Sequence, residues 1–78
     1  MQDLNDMVFF AEVAERGGFA AASRALGIPK SRLSRRVAEL EEQLGVQLMQ
    51  RSTRRLSLTP AGEIYLRHAA SVRDAARA

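Results

Sequence analysis

The chain has 78 residues, enough for one small domain and no second core. An apolar share of 46% excludes disorder, the absence of cysteine excludes a disulfide framework, and a single histidine leaves most metal sites without ligands. The net charge is +3, no apolar run approaches the roughly 18 residues of a membrane span, and Met1-Gln2-Asp3 lacks the basic and apolar run of an export signal, so a cytoplasmic location is expected.

Residues 3 to 16 read as a first helix. Asp3 or Asn5 can cap it, Leu4, Met7, Phe10 or Ala11, and Ala14 recur at three- and four-residue steps, and Gly17-Gly18 ends it. Phe19 opens a short alanine-rich helix that runs to Leu26 and stops at Gly27. A third helix is predicted from about Pro29, with proline in the first helical position, to Leu44. Its apolar stripe is Leu33, Val37, Leu40 and Leu44. Gly45 ends it, and Val46 is placed to fold back on Leu40. The period then changes. Val46, Leu48 and Met49 lead through Gln50-Arg51 into a polar turn, and Leu56 and Leu58 alternate, which predicts a small hairpin. Thr59 and Pro60 supply the cap and first position of a fourth helix, striped by Ala61, Ile64 or Tyr65, His68, Val72 and Ala75 or Ala76.

Charge is concentrated in the middle of this series. Between Arg24 and Arg55 stand eight basic residues and three acidic ones, and seven of the eight are arginine, whose planar fork suits phosphates and guanine edges. Residues 20–26 and 30–44, joined by the turn 27–29, form a helix-turn-helix unit. With Leu33 set at 0° and about 100° added per residue, the apolar stripe of residues 30–44 lies near zero. Ser31, Ser34 and Arg35 fall opposite, with Arg32 at the edge of that face, and Lys30 belongs to the same end. Glu39, Glu41 and Glu42 occupy the last half of the helix, where phosphates would be repelled, so only the N-terminal half is expected in a major groove, with Arg35 as base reader. Arg36 is placed to touch phosphate or a neighbouring helix. The basic hairpin is a wing, with Arg51, Ser52, Thr53, Arg54 and Arg55 as donors to backbone or minor groove. The plainer reading is that these arginines pair with Glu39, Glu12 or Glu15 on a solvated surface.

The ordered set of motifs resembles the N-terminal DNA-binding domain of LysR-type transcriptional regulators over nearly the whole chain. The resemblance is carried by Leu4 and Phe10, Gly17-Gly18-Phe19-Ala20-Ala21-Ala22, Ala25-Leu26-Gly27-Ile28 and Leu33-Ser34-Arg35-Arg36-Val37. It continues through Leu40-Glu41-Glu42-Gln43-Leu44-Gly45-Val46, Leu48, and Arg51 through Gly62. It implies a mainly α fold: a winged helix-turn-helix over residues 1–59, with a three-helix core and a two-stranded wing, and a linker helix over 60–78 used for dimerisation. It further implies a bacterial cytoplasmic regulator that binds double-stranded DNA as a dimer or tetramer. An effector-binding domain would normally follow, so the sequence looks like an excised DNA-binding region, with no cofactor or metal of its own. Three positions depart from the family pattern: Pro29 where a hydroxyl cap is usual, Ser31 where a proline is usual, and Met49 where a phenylalanine is usual. None removes a groove-facing donor.

Dimerisation also follows without the resemblance. A domain of this size buries only about 60–65% of its unfolded surface. The fourth helix carries Ala61, Tyr65, His68 and Val72 on one side, with Ile64 able to turn toward the core. A two-fold pair would cover that surface, and Ala61, Ile64, Tyr65, His68 and Val72 are the expected interface. Two alternatives compete with DNA binding. An enzyme would need converging catalytic groups, and the sequence offers no cysteine, one histidine on an apolar stripe and no glycine-rich phosphate loop. A winged helix used only for protein–protein contact or oligomerisation would have no need of Arg32, Arg35, Arg36, Arg54 and Arg55.

Overall fold

A computed structural model describes residues 3–51 and 55–77, so Ser52, Thr53 and Arg54 of the expected wing tip lie outside the described residues. The elements run α1 (Leu4–Arg16), α2 (Phe19–Leu26), α3 (Lys30–Leu44), β1 (Met49–Arg51), β2 (Leu56–Leu58) and α4 (Pro60–Arg77). Local chemistry explains their ends. Asp3 caps α1 by accepting the Asn5 amide at 2.8 Å. Gly45 sits at φ 70° after α3, and the amide of Val46 reaches back to the Glu41 carbonyl at 3.2 Å, which closes a Schellman-type cap. Thr59 caps α4: its hydroxyl accepts the Gly62 amide at 2.9 Å and donates to the Gln47 carbonyl at 2.6 Å. Pro29 differs from expectation. It is the N-cap of α3 with an extended ψ of 140°, and the helix begins one residue later, at Lys30.

The core gathers Phe10, Ala11 and Val13 from α1, Ala22 from α2, Leu33, Val37 and Leu40 from α3, Leu48 and Met49 before and within the wing, and Ala69 from α4. The α3 stripe is therefore buried as its period requires, with Leu44 packed at the margin. Leu4 is not part of this core. It lies 62% exposed at the start of α1, and Val13, one three-residue step beyond Phe10, is fully buried while the expected Ala14 packs at the margin. β1 and β2 pair antiparallel with Met49 opposite Leu58, Gln50 opposite Ser57 and Arg51 opposite Leu56. Only the first of these strand residues, Met49, is fully buried.

α4 lies along α1. Tyr65 meets Phe10 edge to face at 5.6 Å between ring centres, and Leu66, Ala69 and Arg73 continue the contact face. Ile64 corrects the sequence expectation: it does not turn to the core but stands 58% exposed, because Tyr65 and Leu66 occupy the inner face at that level.

An ionic cluster closes the far end of this helix pair. Glu12, only 3% exposed, accepts from Arg16 Nε and Arg77 Nη2, each at 2.8 Å, and Arg73 joins Glu12, Glu15 and Asp74. Burial pushes the Glu12 carboxyl up, but hydrogen bonds from Arg16 and Arg77 and the charges of Arg16 and Arg73 outweigh it and hold the group below its ordinary 4.5. The stabilisation it contributes is therefore complete above that ordinary value and is lost as pH falls through the lower folded-state value. Glu12→Gln is expected to flatten the acid limb: urea midpoints measured between about pH 5 and pH 2 should fall less steeply than in the unmodified chain. Equal slopes would mean that Glu12 is not the titrating partner.

Candidate nucleic-acid interface

The helix-turn-helix is set by its turn. The Ser23 hydroxyl donates to the Ile28 carbonyl at 2.6 Å, and Gly27 takes φ 69°, so α3 leaves at a fixed angle from α2. With Leu33, Val37 and Leu40 buried beneath it, α3 turns Lys30, Ser31, Arg32 and Arg35 outward, all exposed, with Ser34 half-buried at the edge. Lys30, Arg32 and Arg35 form no ion pair with the described residues. Arg55, at the start of the return strand, is also exposed.

Two other candidate cations are tied to groups of the protein itself. Arg36 forks across α1: Nε donates to Asp6 Oδ1 at 2.7 Å and Nη2 to Asp3 Oδ2 at 3.0 Å. The hydrogen bond and charge of buried Asp6 raise the Arg36 guanidinium above its ordinary range, with Asp3 adding to the effect. Of the two roles open to Arg36 in the sequence, this geometry is the contact with a neighbouring helix. Arg51 leans back from β1 onto α3, where Nη1 donates to Ser34 Oγ at 3.3 Å. Among the described residues, the acids expected to neutralise these arginines do not pair with them. Glu12 and Glu15 hold Arg16, Arg73 and Arg77, while Glu39 and Glu42 line a shallow polar hollow with Gln43.

Sequence spacing misses three residues that organise this face. Asp6 lies 30 positions from Arg36, and no local period links them. Glu41, read only as a repulsive charge, accepts the backbone amides of Leu48 and Met49 at 2.7 and 3.1 Å. Phe19 carries the Arg51 guanidinium over its ring at 5.0 Å. The expected interface residues Ala61, Ile64, Tyr65 and His68 line an apolar groove with Leu44 and Val46. Val46, 41% exposed, belongs to this groove rather than to the core. Val72 is half-buried further along α4.

Three helices, a two-stranded antiparallel wing and an outward basic helix end define a winged helix-turn-helix protein. The family model described as "Bacterial regulatory helix-turn-helix protein, lysR family" matches residues 4–63. The chain belongs to that family. It is 52% identical over 66 residues to an HTH-type transcriptional regulator of Xanthomonas campestris pv. campestris, covering 85% of this chain and 19% of that protein. It is 42% identical over 74 residues to the probable HTH-type transcriptional regulator LtrA of Klebsiella pneumoniae, covering 95% and 24%. The chain thus spans about a fifth to a quarter of these relatives' length. Among solved structures it superposes on the BenM DNA-binding domain in complex with catB site 1 DNA with a TM-score of 0.92 at 32% identity, covering 97% of this chain and 85% of that one. The CbnR DNA-binding domain–DNA complex gives 0.89 at 35%, covering 96% and 86%. The two curated relatives are named as transcriptional regulators. No helix among the described residues is long and apolar enough to cross a membrane.

Proposed function

We propose that the chain binds double-stranded DNA sequence-specifically, as the reading head of a bacterial regulator, with the N-terminal half of α3 in the major groove. The observation that carries this reading is that Lys30, Arg32 and Arg35 stand outward, without an ion pair among the described residues, above a fully buried Leu33-Val37-Leu40 face. Ser31 and Ser34 stand beside them as hydroxyl donors, and the positive end of the α3 dipole adds attraction for phosphate. The wing, through Arg55 and the adjoining Ser52, Thr53 and Arg54, follows the backbone or a narrow minor groove. The likeness to two domains solved on DNA supports the same placement. Duplex titrations at several salt concentrations test it. Each neutralised phosphate should contribute about −0.9 to the log–log slope, and binding without salt dependence, or no binding at low salt, would refute it.

The chain acts as a homodimer through α4 and the groove beside it. Ile64 and Val46 leave apolar surface uncovered there. Pairing two heads about a two-fold axis would cover it and present two recognition helices to half-sites about one duplex turn, 34 Å, apart. Ile64→Asp is expected to convert the dimer to monomer in sedimentation equilibrium while leaving the helical content intact, since Ile64 supports no core contact. A dimer that survives this charge would place the interface elsewhere.

A further inference from the structure

We infer that Arg51 is a positioning residue that, together with Glu41, sets the wing against the recognition helix, and that it does not act as a phosphate contact. This inference rests on the DNA-binding reading above and deepens it. A hairpin of two three-residue strands is marginal by itself, so its orientation must come from ties to the helices. Both ends of β1 carry such ties, and both lead to α3. At the entry to the strand, Glu41 Oε2 accepts the amides of Leu48 at 2.7 Å and Met49 at 3.1 Å. At its exit, Arg51 returns to the same helix: Nη1 donates to Ser34 Oγ at 3.3 Å and Nη2 to the Ser34 carbonyl at 3.4 Å. Nη2 also lies 3.8 Å from Glu41 Oε1, and the guanidinium rests over Phe19, at the start of α2. One carboxylate therefore serves both ends of the strand, and one guanidinium joins wing, α3 and α2.

This brace has a consequence for recognition. Ser34 sits at the edge of the groove-facing surface, and its oxygen accepts from Arg51. The hydroxyl proton is thereby directed away from the guanidinium, and Ser34 faces the duplex as a donor.

Two conservative variants of the 78-residue chain separate positioning from phosphate contact. Arg51→Lys keeps the charge but loses the fork and the flat face over Phe19. Glu41→Gln keeps a carbonyl for the two amides but loses the attraction for Arg51. Binding is measured to a duplex selected from a random pool by the unmodified chain. Each variant is expected to bind about two- to fivefold more weakly, with an unchanged salt slope and a double-variant loss smaller than the product of the two. A phosphate contact predicts the reverse pattern: Arg51→Lys is nearly neutral, and Glu41→Gln binds more tightly because a negative charge near the polyanion is gone. That pattern would overturn the inference. Residual dipolar couplings of Gln50 and Ser57 relative to α3, in the free protein, supply a readout that needs no DNA. They are expected to change in both variants, and unchanged couplings would overturn the brace. Altered couplings in a chain whose unmodified form binds no duplex at any salt would retain the brace and refute the DNA-binding reading.

Discussion

Gly62→Ala is expected to lower the thermal unfolding midpoint by more than about 10 °C, although the same change at an ordinary helical site gains stability. The reason is the seat of α4. The Leu48 carbonyl accepts the Thr59 amide at 3.0 Å and points into the first turn of the helix, at Gly62. A methyl group on Gly62 would overlap that carbonyl oxygen and come within 2.9 Å of its carbon. Backbone cannot rotate away as a side chain can, so the cost should reach or exceed about 3 kcal/mol, the upper end of ordinary overpacking. In a domain this small, each kcal/mol moves the midpoint by about 4–8 °C. Leu48 is also one of the two residues whose amides Glu41 holds, so a shifted α4 would disturb the wing and the dimer groove together. A midpoint raised or unchanged in calorimetry would show that α4 does not sit on Leu48.

Arg35→Ala should lose about 1–3 kcal/mol of binding to a selected duplex, and much less to random DNA, with no change in the unfolding midpoint. Arg35 is exposed, supports no packing and pairs with none of the described residues, so its removal costs the fold nothing. A bidentate contact to a guanine edge is lost only where the guanine is present, which separates base reading from general attraction. Equal losses on both duplexes would make Arg35 a backbone contact. Arg36 supplies the contrast within the same turn. Its guanidinium is engaged by Asp6 and Asp3, and its removal leaves the Asp6 carboxylate, 4% exposed, without that partner. Arg36→Ala is therefore expected to lower the unfolding midpoint where Arg35→Ala does not.

Adjacent arginines with identical chemistry thus divide into one with no partner among the described residues and one that is held, and the division marks how far the sequence could be read. The periodicity of α3 was sufficient to place Leu33, Val37 and Leu40 inside and Arg35 outside, because a helix face follows from a 100° step. The glycines at 17, 27 and 45 and the Thr59-Pro60 pair marked the helix ends for equally local reasons. The orientation of Ile64 did not follow from its stripe. Ile64 and Tyr65 lie about 100° apart on the helix, at the two edges of one broad stripe, and only the position of Phe10 across the interface decides that the tyrosine turns in.

The chain order by itself determined four helices, a hairpin and a basic helix end, since each rests on spacing within a few residues. The tertiary structure alone decided which charges remain available. Asp6 with Arg36, and Glu12 with Arg73 and Arg77, meet only when the helices pack. Electrostatic partnership depends on distance in space, and packing brings together carboxylates and guanidiniums that lie 30 to 65 positions apart along the chain.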